Sequence, residues 1–216
     1  MPHFFTDRRG GESLGVYESL NLALHVGDDP AIVGSNRKKI GAAQFMNQVH
    51  GDHIEVVETI TAQTPTCDGL ITTTPNLSLA VMVADCIPLL LVSKGVVGAI
   101  HVGRAGLVNR IAIKAIHTMR SLGAIELHAI LGPSICGSCY EVPFQMQQDV
   151  IAEHPRAFAT THKGTPGLDL SKALIAELVA AGVSYEASTT CTFEDEMYFS
   201  HRRQNPTGRF AGVVSL

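Results

Sequence analysis

Tryptophan is absent from the 216 residues, and aromatic side chains together reach only 6%. A binder of single strands needs exposed rings on which successive bases stack, so that class is disfavoured. Basic charge is scarce as well: 16 Lys and Arg stand against 20 Asp and Glu, a net charge of -4 with a pI near 6.2. The chain therefore lacks the electrostatic footprint of a nucleic-acid or anionic-membrane partner. Charged residues are few, at 17%, while apolar ones reach 45% and mean hydropathy is +0.18. That balance excludes a largely disordered chain and fits one with a packed core.

Long hydrophobic runs are missing too. The longest apolar stretch, from Leu77 to Val92, carries Asp85 and Pro88 and is too short and interrupted to span a bilayer. The opening MPHFFTDRRGG has no apolar core of a secretion signal. Five cysteines are an odd number without small-scaffold spacing, which points to reduced thiols and a cytoplasmic protein. No linker, repeat or low-complexity run divides the chain, so residues 1–216 are expected to form one domain.

Periodicity supplies the elements. Asp29-Pro30 reads as a helix start, with Asp29 as N-cap, running to about Ala43. Residues 54–60, 77–83, 89–92, 96–101 and 127–131 read as strands, with further strands near Tyr198 and over 210–214. From Gly106 onward Leu107, Ile111, Ala115, Met119 and Leu122 share one helical face. Two more helices are expected near 143–153 and 170–181, the latter ended by Gly182. Irregular alternation with short joins predicts an α+β fold, mixed β-sheets packed with outer helices.

Three residues sit awkwardly in this pattern. Asp85-Cys86 interrupts a core-grade run, and an ionised carboxylate there is costly unless paired or brought out at a strand end. His50 and His101 each end a β-type segment beside glycine. If those segments pair, His50, Cys86 and His101 can converge as a His–Cys–His set suited to Zn²⁺ with one position left for water or substrate. The competing reading is two structural histidines and a buried thiol. Cys136-Gly-Ser-Cys139 is a lone C-x-x-C: half a zinc knuckle, a redox pair, or two ordinary thiols. His53-Ile-Glu55 echoes a zinc-deaminase motif but opens a strand-like run, and Pro133 does not adjoin Cys136 as that motif requires. Arg8-Arg9-Gly10-Gly11 offers an anion cradle and His201-Arg202-Arg203 a similar one, though such runs more often form a solvated surface.

Taken in order, Ser19-Leu-Asn21, Gln48-Val-His50-Gly51, Ala84-Asp85-Cys86-Ile-Pro88 and His101-Val-Gly103 carry a resemblance. So do Cys139-Tyr-Glu141-Val142, Phe199-Ser-His-Arg202-Arg203 and Thr207-Gly208-Arg209. Over nearly its whole length the chain resembles the laccase-domain, YfiH-type purine nucleoside phosphorylase family, once labelled polyphenol oxidase. The resemblance implies zinc on His50, Cys86 and His101, with copper as the older assignment. It implies a purine nucleoside and phosphate as substrates: phosphorolysis of adenosine, inosine and methylthioadenosine, with adenosine deamination alongside. Arg8, Asn21 and Arg104 become candidates for holding substrate, and Asp85, Glu141 and Arg104 for catalysis. One departure stands out. The family's H-A-G-W-R-G turn reads His101-Val-Gly-Arg104-Ala105-Gly106 here, so the arginine's duty passes to Arg104 or is weakened. Two other enzymes use the same residues, a copper phenol oxidase and a thiol hydrolase with Cys86 as nucleophile and His101 as base. A multicopper cluster would call for paired ligands, and the ten histidines contain no H-x-H. A non-enzymatic zinc module is the remaining alternative.

Overall fold

The computed structural model describes Met1 to Leu216, and its eleven strands and five helices follow the apolar pattern closely. In chain order they are β1 (His3–Phe5), α1 (Pro30–Lys39), β2 (Ile54–Val56), β3 (Gly69–Thr72), β4 (Ser78–Val83), β5 (Ile87–Ser93), β6 (Val96–Val102), α2 (Arg104–Val108) and α3 (Ile111–Ser121). Then come β7 (His128–Leu131), α4 (Phe144–Glu153), β8 (Phe158–Thr160), β9 (Pro166–Leu168), α5 (Leu170–Ala180), β10 (Ser184–Ala187) and β11 (Phe210–Ser215).

Six strands form a mixed sheet in the order β10-β7-β5-β6-β3-β2, antiparallel at its centre and parallel at both edges. A smaller antiparallel sheet, β1-β11-β4, stacks on one face of it, and β8-β9 is a separate hairpin. Alternation along β5 explains the layering. Leu89 and Leu91 pack with Ile111, Ala115 and Leu174 from the helices, whereas Leu90 packs with Leu79, Val81 and Phe210 from the smaller sheet. Ala80, Met82 and Val213 on that sheet's far face are covered by Leu20, Leu22 and Phe45. Both faces of both sheets are therefore buried, which is why β4, β5 and β6 read as nearly unbroken apolar runs.

Helix boundaries follow local chemistry. Asp29 caps α1 by accepting from the Ala31 amide, and Asp169 caps α5 by accepting from Lys172. Gly182 follows α5 at φ +70, a left-handed stop that favours glycine. Four expectations need correction. Helix α1 stops at Lys39, not Ala43, because Gly41 takes φ +87. The strand expected over 54–60 lasts only three residues. The helix expected from Gly106 is two, broken at Arg110, whose φ of 57 is left-handed, and Leu122 falls beyond the second. No strand forms near Tyr198, because the Arg203 guanidinium binds the carbonyls of Thr192, Phe193 and Tyr198 and holds the segment as turns.

A cavity of about 550 Å³ opens among α3, α5 and the turn after α4, walled by Arg110, His117, Arg156 and Glu177 among others. The Glu177 carboxylate is buried and neither oxygen has a hydrogen-bond partner. Burial pushes its carboxyl up to about 7, against the opposing charge of Arg110. The folded state thus keeps a proton that the unfolded chain releases near pH 4.5, so stability falls as pH rises from about 4.5 to about 7. Glu177→Gln should remove this loss, stabilising the protein by about 1 to 3 kcal/mol above pH 7 and much less at pH 4.5. Thermal unfolding of both proteins across pH checks it. A difference that does not vary with pH would contradict it.

Candidate metal centre and cleft

Antiparallel pairing of β5 with β6 sets Ile87 opposite Val102 and Pro88 opposite His101, so Cys86 and Gly103 face each other just past the strand ends. His50 arrives from the loop before β2. The three donor atoms lie within 4.8 Å of one another, His50 Nε2 stands 4.0 Å from Cys86 Sγ, and the two imidazoles meet edge to face at 4.7 Å. A Cβ on Gly103 would stand 3.1 Å from Cys86 Sγ and 3.3 Å from the His50 ring, so any larger residue would crowd the cluster and push its side chains aside.

Asp68 builds the cluster. It immediately precedes β3, is fully buried, and its carboxylate accepts from the amides of Val49, His50 and Gly51 at 3.2, 3.0 and 2.7 Å. Those bonds hold His50 in a left-handed conformation, φ 58. The same carboxylate accepts from His101 Nδ1 at 2.7 Å, while the His101 amide donates to the Asp68 carbonyl at 2.8 Å. With Nδ1 engaged, His101 turns Nε2 towards Cys86 and His50. A carboxylate behind a histidine is the usual way a metal-binding imidazole is oriented and made more basic.

Electrostatics agrees with geometry. Burial opposes ionisation of Cys86, but the facing imidazoles of His101 and His50 outweigh it and bring the thiol down to about 6. Burial disfavours charge on His101 likewise, yet the Cys86 sulfur and the Asp68 carboxylate raise it to about 9. For Asp68, bonds from His101 and the loop amides overcome burial and keep its carboxyl below the ordinary range. Two imidazoles and a thiolate at this separation are a donor set for zinc or copper.

The triad lies at the end of a cleft of about 420 Å³, walled also by Met82, Ile135, Tyr140, Leu170 and three arginines, Arg104, Arg202 and Arg209. None of the three arginines has a carboxylate within ion-pairing distance, in contrast to Arg9 on the surface. Arg202 lies over the Tyr140 ring at 5.0 Å and donates to the Glu141 carbonyl, and Arg209 donates to the carbonyls of Thr207 and Gly208. Each keeps further N–H groups for a ligand. Burial of Arg209 lowers its affinity for its proton, so an arriving anion relieves a desolvated cation. His25 and His201 stand on the cleft wall as well.

Of the candidates read from sequence, the structure gathers His50, Cys86, His101, Asp85 and Arg104 into this cleft and leaves three outside it. Arg8 donates to the carbonyls of Glu18 and Glu196 and rests on the Phe199 ring, so it is a latch between chain segments. Asn21 is fully buried with its amide spent on Ala23, Asp28 and the Arg209 backbone. Glu141 is exposed, and its contribution is a backbone carbonyl for Arg202. Asp85 is in the wall at φ 91, with one oxygen on the Thr192 hydroxyl and the other on the Arg202 amide. Both oxygens thereby tie the β4–β5 turn to the C-terminal loops. Asp68 escaped the sequence reading, and Arg202 and Arg209 entered it only within motifs, with no role in the site. Asp68 carries the same signal that exposed Asp85, an acid directly before an apolar strand.

The family model described as multi-copper polyphenol oxidoreductase laccase matches residues 2–216, and the chain belongs to that family. A purine nucleoside phosphorylase of Mycobacterium tuberculosis is 44% identical over 97% of this chain and 89% of its own length. One from Streptomyces coelicolor is 44% identical over 99% of this chain and 95% of its own. Among solved structures, a Neisseria meningitidis protein superposes with a TM-score of 0.90 at 31% identity, covering 99% of this chain and 93% of that one. The YfiH protein of Bacillus licheniformis does so with 0.90 at 33%, covering 98% and 91%.

Replacing Asp68 with Asn preserves shape but removes the charge that sets the His101 tautomer. Metal affinity, read by chelator competition, should fall roughly 10- to 100-fold. An unchanged affinity would reduce Asp68 to a residue of the fold alone.

Proposed function

We propose that this chain is a zinc-dependent purine nucleoside phosphorylase. It cleaves adenosine, inosine or methylthioadenosine with phosphate, releasing the base and a pentose 1-phosphate, and deaminates adenosine as a side activity. The observation that carries this reading is the placement of three arginines without carboxylate partners in the same cleft as the His50–Cys86–His101 set. The names of the relatives at 44% identity support it. His50, Cys86 and His101 would hold the ion, which supplies fixed positive charge and Lewis acidity when bound.

The chain's own residues do the rest. Arg104, Arg202 and Arg209 hold phosphate and present one of its oxygens to C1′ as the glycosidic bond opens, which is catalysis by positioning and charge. Tyr140, fixed beneath Arg202, offers a flat face to the purine. Asp85 acts here as a positioning residue, holding the Arg202 backbone through one oxygen and Thr192 through the other. Arg104 opens α2 immediately after Gly103 and takes over phosphate contact from the arginine that the family pattern places at Ala105.

The test is zinc-loaded protein with adenosine, with and without phosphate. Adenine and ribose 1-phosphate are expected only with phosphate, and inosine in either case. No base release at any phosphate concentration would contradict the assignment. Arg104→Ala should raise the KM for phosphate roughly 10- to 100-fold, the loss of a charge-assisted contact of about 1.5 to 3 kcal/mol, with zinc content unchanged. An unaltered KM would remove Arg104 from the phosphate site.

A second reading rests on the ionised Cys86 thiol beside His101, which is also the arrangement of a sulfur nucleophile and its base. Cys86→Asp keeps an anionic ligand and should keep part of the zinc and turnover, whereas a nucleophile would not survive that exchange. Full zinc occupancy in an inactive Cys86→Ala protein, or a covalent adduct on Cys86, would favour the thiol enzyme. Bound copper with phenol oxidation would favour the oxidase suggested by the family's description.

A further inference from the structure

The lone C-x-x-C of the sequence is not alone in space. Cys191 and Glu194, themselves spaced C-x-x-E, fold against Cys136 and Cys139, and the four donor atoms lie within 4.8 Å of one another. All three thiols are free. We propose that Cys136, Cys139, Cys191 and Glu194 form a second metal site, a structural zinc centre separate from the His50–Cys86–His101 set.

Two turns bring two donors each, the arrangement by which short loops close around zinc. The Tyr140 and Cys139 amides both donate to the Cys136 carbonyl at 3.0 Å, forming the first turn, and the Glu194 amide donates to the Cys191 carbonyl at 3.2 Å, forming the second. A parallel bridge between Ser134 and Cys191 fixes one turn against the other. The Cys136 amide already donates to Cys191 Sγ at 3.3 Å, which draws the second turn's sulfur against the first. The Cys139 thiol donates to Glu194 Oε1 at 3.2 Å, and His162 Nε2 lies 3.2 Å from the same oxygen, so an imidazole orients the carboxylate. Gly137 makes the tight turn feasible: a Cβ there would stand 2.7 Å from the Cβ of Asp169. Ligands about 2.0 to 2.3 Å from a tetrahedral zinc lie about 3.3 to 3.8 Å apart, so closure needs side-chain shifts of about 1 Å. Binding exchanges three thiol protons for the ion, with Glu194 already an anion.

The position gives such a site a purpose. Ile135 and Tyr140, which flank the first turn, are walls of the active cleft, and Thr192, next to Cys191, holds Asp85. An ion here clamps both segments and so fixes the wall against which substrate binds.

Metal counting tests it independently of the phosphorylase reading. Protein purified with zinc should contain two equivalents per chain. Cys86→Ala should keep one, and Cys139→Ser should keep one at the other site. Cobalt-loaded Cys86→Ala protein should retain intense thiolate-to-cobalt absorption, since three thiolates belong to the second site. Glu194→Gln, an isosteric change at an exposed side chain, should weaken zinc at that site roughly tenfold or more while sparing the first. One equivalent of zinc in the wild type, rapid alkylation of all three thiols in excess zinc, or a Cys136–Cys139 disulfide in the purified protein would overturn the proposal.

Discussion

A single buried carboxylate organises the His50–Cys86–His101 end of this molecule. Asp68 joins three segments that the sequence keeps far apart: the His50 loop through three amides, β6 through His101, and β3, which it introduces. An isolated charge in this place would be prohibitively costly, and here four donors compensate it. The consequence runs outward. His50 holds a left-handed backbone, His101 presents Nε2, and the antiparallel register of β5 and β6 brings Cys86 to meet both. Remove the carboxylate and each of these becomes a separate problem.

The cleft is cationic although the protein carries a net charge of -4. Arg104, Arg202 and Arg209 come from the start of a helix and from the C-terminal loops, and no acid is placed to neutralise them. Asp85 is the one carboxylate on the cleft wall, but its oxygens serve Thr192 and the Arg202 amide. A site that holds unpaired guanidinium groups in partial burial stores affinity for an anion. The C-terminal loops can supply two of the arginines because Arg203 locks their turns through backbone carbonyls.

The mixed-sheet architecture was legible in the sequence because both faces of each sheet are buried, which writes strands as dense apolar runs broken by turns. The capped start of α1 and the end of α5 were equally plain, since Asp29-Pro30 and the stop at Gly182 are local chemistry. His50, Cys86 and His101 showed themselves as polar residues at strand ends. Asp68 carries the same signal at the start of β3, but ahead of a strand of only four residues. Arg202 read as surface charge and Arg209 only as a member of a motif, because their common destination depends on non-local folding. Arg8, Asn21 and Glu141 lie outside the cleft for the converse reason. Motif membership does not distinguish a residue that meets substrate from one that holds the wall, and each of these three is spent on the backbone or left in solvent.

The claim at the centre of this account is that Asp68 orients the His50–Cys86–His101 donor set and is not itself a ligand. Anomalous diffraction at the zinc edge, on crystals of the metal-loaded protein, measures this directly. The account predicts a peak bonded to His50 Nε2, Cys86 Sγ and His101 Nε2, with the Asp68 carboxylate still on His101 Nδ1. A peak bonded to Asp68 itself, or no peak among these three side chains, would contradict it.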